Sequence, residues 1–191
     1  MNNLVLFTGP DNFNKMVAFL ESIKPIVRIM EFGLLLLLLL HTINAIKLTL
    51  NNQKLNRKTI GQPEIQTSTI NSRTMAISGS IILIFLFSHL GYIWLTYQTH
   101  DMATNETYYN VLLRSNFGYL NHTPTAIFYI IAILSIGFHL KHGFQSALKT
   151  FGIASNTPKA KLLYSMSVLF WGIIPAGFIF IILCIQIGVI K

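Results

Sequence analysis

The chain has 191 residues, of which 52% are apolar and only 10% charged, and it carries a net charge of +8. A water-soluble domain usually has about 25% charged residues, so this composition excludes a water-facing surface over most of the molecule and points to lipid as the solvent. In so apolar a chain, excess Lys and Arg mark cytoplasmic loops rather than a nucleic-acid-binding face, and no nucleic-acid partner is expected. The one cysteine, Cys184, lies in an apolar run and belongs to no Cys-x-x-Cys pair. That excludes an internal disulfide and cysteine ligation of zinc or an iron–sulfur cluster.

In chain order, the first apolar stretch, 4–7, is too short for the hydrophobic region of a secretory leader, and Pro10 and Asp11 follow at once. Over 12–23, Phe13, Met16, Val17, Phe19 and Leu20 fall largely on one helical face. This predicts a short helix lying on the membrane surface. A helix crossing a ~30 Å hydrocarbon layer needs about 20 apolar residues at ~1.5 Å each. Four segments qualify: 29–50, with an unbroken leucine block over 34–40; 75–97; 125–148, with Pro124 suited to a first helical turn; and 162–190, where Pro175 predicts a kink. The polar segment 51–73, with Gly61 and Pro63, predicts a loop, as does 98–123, whose Tyr108, Tyr109, Phe117 and Tyr119 suit an interfacial aromatic belt. Two Asn-x-Ser/Thr triplets there, at Asn105 and Asn121, are too common to carry weight. The expected fold is an all-α membrane protein: one domain, a bundle of four transmembrane helices and a short N-terminal surface helix.

Orientation is set by the cations. Lys47, Lys54, Arg57, Lys58, Arg73, Lys141, Lys149, Lys159 and Lys161 fall on one side, nine against the five of Lys15, Lys24, Arg28, Arg114 and Lys191. The positive-inside rule puts 51–73 and 150–161 in the cytoplasm and both termini outside.

Of six histidines, His100 and His122 fall in the outer loop, whereas His41, His89, His139 and His142 fall within predicted spans. An imidazole in hydrocarbon is costly unless paired, so each is a candidate functional group, the plain alternative being an interhelical hydrogen bond. Reckoned from the flanking cations, His41 and His139 lie at similar depth near the cytoplasmic side, and His89 lies towards the outer side. Two imidazoles on facing helices at one depth suit the two axial positions of a haem iron, and such bis-histidine ligation favours electron transfer over oxygen chemistry. Gly143, Gly137 and Ser135 around His139, and Gly79 and Ser80 in the second span, are small enough to leave room for a macrocycle. Arg73 is placed to pair with a haem propionate, although a positive-inside anchor accounts for it equally. His142 is a candidate propionate or quinone contact, with a plain polar helix position favoured. Zinc is the rival metal, but no acidic residue lies in the second, third or fourth span, and Glu31 stands at the outer start of the first, three residues after Arg28. A proton relay through His41, His89 and His139 in a transporter or channel subunit is the alternative function; its usual companions, intramembrane carboxylates and paired broken helices, are not evident apart from Pro175.

The run Gly137-Phe-His-Leu-Lys-His-Gly-Phe-Gln-Ser-Ala with Leu148-Lys-Thr-Phe-Gly152 resembles a helix of the cytochrome b subunit of succinate dehydrogenase and fumarate reductase, the single-subunit bacterial type. Arg28-Ile-Met-Glu-Phe-Gly before His41, Ser72-Arg-Thr-Met before His89, and the opening Asn3-Leu-Val-Leu-Phe and Asn12-Phe-Asn are similar to the same family. The resemblance implies a membrane anchor that does no succinate chemistry itself. It would pass electrons between flavoprotein and iron–sulfur subunits, docked on the cytoplasmic loops, and a quinone, menaquinone for this type, in the bacterial cytoplasmic membrane. It implies haem b held by His41 and His139, with His139 rather than His142 as ligand, and His89 as a ligand of a second, outer haem. The family has five helices. Its first, which carries the other outer-haem ligand, has no counterpart before the Asn-Leu stretch here, so one haem b is expected from the residues present.

Overall fold

The computed structural model describes residues 2–58, 70–99, 106–153 and 157–190, excluding the side chains of 2–3, 55–58 and 70–73. Among them there is no strand. A 3-10 turn, Asn2–Thr8, leads into α1 (Pro10–Ser22) and α2 (Lys24–Lys58), and α3 (Ile70–His89) passes through a π-helical turn, Leu90–Trp94, into α4 (Leu95–Thr99). Then come α5 (Tyr108–Leu112), α6 (Thr123–Thr150) and α7 (Pro158–Val168), which continues through a second π turn, Leu169–Ile173, into α8 (Ile174–Gln186). Four helical stretches are long and apolar enough to cross a membrane: Lys24–Lys54, Thr74–Thr99, Thr123–Thr150 and Pro158–Gln186. At ~1.5 Å per residue they measure about 39 to 47 Å, and the protein is a multi-pass membrane protein by length and composition. The chain divides into two compact units, Ala18–Ile77 and the remainder, Met1–Val17 with Ser78–Lys191.

In the Ala18–Ile77 unit, α2 runs 35 residues without a break. Leu34 to Leu40 have no polar side chain, as a span needs, and Arg28 meets Glu31 one turn on at 2.7 Å, the pairing the sequence spacing suggests. Helix continues past the apolar segment to Lys58, into the stretch predicted as loop. The backbone hydrogen bonds of a helix persist in water once nucleated, so the helix outlasts its hydrophobic part.

In the larger unit, α6 turns Ala126, Tyr129, Ala132, Ile133 and Gly137 inward while Ile127, Ile131, Leu134 and Phe138 remain exposed at helical spacing. Small residues inside and large apolar ones outside is the pattern of a helix packed on helices and surrounded by lipid. Its partner is the α7–α8 span, whose second π turn has a cause. Pro175 has no N–H, so the carbonyl of Trp171, four residues earlier, loses its helical donor. The helix takes up one extra residue there, with the Ile174 N–H donating to the Leu169 carbonyl. The Trp171 carbonyl oxygen faces Gly137, where a Cβ would come within 2.9 Å of it. Gly137 therefore serves backbone contact with the α7–α8 span, not the macrocycle space expected of it. Gly152, at φ +68°, closes α6, and the Ile153 N–H donates to the Leu148 carbonyl at 3.0 Å.

The N-terminal segment meets protein rather than lipid alone. Leu6 and Phe13 are buried, Phe13 packs edge-on against Tyr109 at 5.8 Å, and Asn14 Oδ1 accepts from the Tyr109 N–H at 3.2 Å. Of the segment predicted as an outer loop, the described residues 106–123 form a cap containing α5. The Thr107 hydroxyl caps α5, Tyr97 donates to the Tyr108 carbonyl at 2.9 Å, and Gln186 donates from the end of α8 to the Leu120 carbonyl at 2.7 Å. Arg114 clasps Glu106 through two hydrogen bonds and donates to the Tyr119 hydroxyl at 3.1 Å; the Glu106 carboxylate raises the guanidinium pKa above its ordinary value. Gly118 adopts φ +96°, and a Cβ there would overlap the Tyr92 ring. Gly118→Ala is predicted to cost about 1–3 kcal/mol, read as a lower unfolding midpoint in detergent micelles; an unchanged midpoint would show the cap to be dispensable.

Candidate functional site

The candidate histidines divide between the two units. His41 lies on α2, in the Ala18–Ile77 unit. Arg73 lies in the first turn of α3, and its side chain is outside the described residues, as is the whole of His100. His89, His139 and His142 belong to the larger unit.

His139 projects from α6 towards α3. Its Nδ1 lies 3.1 Å from Ser78 Oγ, and a Cβ on Gly79 would stand 3.5 Å from its Cε1. The ring thus lies against the glycine backbone, with one nitrogen engaged by a hydroxyl. Gly79, expected to make room in this region, does so at His139. The serine seen at the ring is Ser78. Gly143, one turn beyond, has open space on its Cα side, with nothing within 4 Å of a built Cβ. His142 is half-buried; its neighbour Lys141 sets its ammonium over the Trp171 ring, 5.0 Å from the centroid.

His89 ends α3 where the first π turn begins. An extra residue in that turn rotates α4 about the helix axis relative to α3. The imidazole stacks on Phe85 at 5.5 Å and lies 6.1 Å from Tyr129, while Phe85 meets Tyr129 edge-on at 4.9 Å. Two polar atoms of this aromatic cluster, His89 Nδ1 and the Tyr129 hydroxyl, are buried with no hydrogen-bond partner. Since α3 meets His139 through Ser78 and Tyr129 through Phe85 and His89, the two imidazoles sit about ten α6 residues apart, or ~15 Å along the helix. A cavity of about 240 Å³ adjoins the cluster, lined by Ile84, Ser88, Tyr92, Phe128 and Tyr129 among others. It is smaller than the ~300–1,000 Å³ of pockets for drug-sized ligands and does not hold a macrocycle as it stands.

Among the described residues, no three His, Cys, Asp or Glu side chains come together as a metal-ion site, so the arrangement does not favour zinc, which takes three or four protein ligands. Haem iron asks for only one or two axial donors. His139, with one ring nitrogen fixed and a glycine at its edge, and His89, with a nitrogen buried and unmatched, both suit that demand. Sequence reading passed over Ser78, Phe85 and Tyr129. A signal existed for the first two: Ser78, Phe85 and His89 recur at seven and four residues, on one face of α3.

A buried hydroxyl without a partner is a net cost. Tyr129→Phe is therefore predicted to leave the thermal unfolding midpoint unchanged or raised; a marked fall would reveal a partner for this hydroxyl in the membrane. Compared with models of known protein families, with curated proteins and with solved structures, the chain matches none.

Proposed function

We propose that this protein is the cytochrome b membrane anchor of a succinate:quinone oxidoreductase, carrying electrons between an iron–sulfur subunit and the quinone pool. The observation that carries the proposal is His139: an imidazole within an apolar span, Nδ1 at hydrogen-bond distance from Ser78 and the ring edge against Gly79. A metal-ligating histidine characteristically has its second nitrogen held by such a partner. The motif around His139 and its resemblance to the cytochrome b family give this posture its chemical meaning.

In this proposal His139 and His41 hold haem b between them near the cytoplasmic side, a pairing supported by their matched depth in sequence. When bound, the haem supplies a one-electron redox centre at the level of those two residues. The chain's own residues bind and orient it: Ser78 and Gly79 fix the His139 ring, Gly143 leaves open space one turn along α6, and Arg73 and His142 are assigned to propionate or quinone contact. His89 is assigned to a second, outer haem. The absence of acidic residues from α3, α6, α7 and α8 speaks against a proton relay, which needs groups that exchange protons along a path. The partners are flavoprotein and iron–sulfur subunits at the cytoplasmic face and a quinone, menaquinone by family likeness, in a bacterial cytoplasmic membrane.

The optical spectrum tests this. The purified protein or its complex is predicted to show a b-type absorption band on dithionite reduction, and His139→Ala to remove the part of it due to the cytoplasmic-side haem. A colourless preparation, or a spectrum indifferent to His139→Ala, would contradict the proposal.

A further inference from the structure

The contact between Ser78 and His139 has a direction that the rest of the molecule reveals. Helical hydroxyls in this chain donate to the carbonyl three or four residues back: Ser88 to Phe85 at 2.9 Å, Thr96 to Tyr92 at 2.6 Å, Ser135 to Ile131 at 3.0 Å and Ser167 to Tyr164 at 2.7 Å. This is the ordinary outlet for a hydroxyl proton where water is absent. Ser167 illustrates the consequence. With its proton given to the Tyr164 carbonyl, its oxygen accepts the ring N–H of Trp171 at 3.2 Å. Ser78 Oγ, also on a membrane-spanning helix, lies 3.1 Å from a ring nitrogen, Nδ1 of His139.

We propose that Ser78 is a positioning residue that accepts a hydrogen bond from the Nδ1–H of His139, holding the imidazole in the tautomer whose lone pair is on Nε2. The neutral ring has one N–H and one acceptor nitrogen, and the partner of one nitrogen decides which is which. With the proton on Nδ1, Nε2 is the donor a metal takes. Gly79 adds a steric element: Cε1, the carbon between the two nitrogens, lies in van der Waals range of the position where a Cβ would stand. Bulk beyond a methyl at position 79 presses on the Cε1–Nδ1 edge of the ring, the edge that faces Ser78. The tautomer is a property of the protein alone, whereas its use by haem rests on the function proposed above.

The test separates the two. In the full chain in lipid nanodiscs, with histidine labelled by ¹⁵N and before haem is added, His139 at pH 8 is expected to show a protonated Nδ1 and an unprotonated Nε2, its signals identified by their loss in His139→Ala. Ser78→Ala is expected to shift the population towards the Nε2–H tautomer, and Ser78→Thr, which restores a hydroxyl, to keep the original one. On addition of haem, Ser78→Ala is expected to bind it about 10–100-fold more weakly than the parent, with Ser78→Thr near the parent. A parent His139 protonated on Nε2, a tautomer indifferent to Ser78→Ala, or haem affinity unaltered by it overturns the proposal. The expected tautomers in a chain that takes up no haem overturn the electron-transfer function and leave the role of Ser78 standing.

Discussion

A hydrocarbon layer offers an imidazole no hydrogen bond, so every histidine within a span must be satisfied by the protein or by what the protein holds. Much of the larger unit is organised around that constraint. For His139 a serine from α3 reaches one nitrogen and a glycine lets the backbone close on the ring. For His89 the surroundings are aromatic. Phe85 stacks on it and Tyr129 stands beside it, and Nδ1 goes unmatched. An unmatched buried nitrogen costs about 1–3 kcal/mol.

At Gly137, α6 and the α7–α8 span meet by backbone approach. Pro175 releases the Trp171 carbonyl, the π turn absorbs the extra residue, and Gly137 lets α6 come up against that oxygen. The cap holds the far ends of the same helices. Gln186 bridges from α8 to the Leu120 carbonyl and to the Thr123 hydroxyl at the start of α6, and the Arg114–Glu106 pair is tied through Tyr119 to Thr96 of α4. His139 is thus carried on a helix fixed at one end by the cap and along one side by the α7–α8 span.

The four spans are legible in the sequence because the need for about 20 apolar residues leaves a strong mark in composition. Their ends are not. Hydropathy marks where lipid stops, while α2 continues to Lys58 because backbone hydrogen bonding does not stop there. Residues 106–123 read as loop because their order comes from contacts distant in sequence, such as Asn14 with Tyr109 and Gln186 with Leu120. At the site, the histidines announce themselves as rare polar groups in apolar runs. Ser78 does not, since serine is commonplace in a membrane helix until its neighbour is known. Gly137 misleads for a similar reason: a glycine signals close approach but not what approaches, and here it is the Trp171 carbonyl.

The central claim is that positions 41 and 139 serve one iron. Low-temperature EPR of the air-oxidised complex tests it most directly. The account predicts a low-spin ferric component that His41→Ala and His139→Ala each remove and that His89→Ala leaves in place. Loss of different components on His41→Ala and His139→Ala, or of none on either, would contradict it.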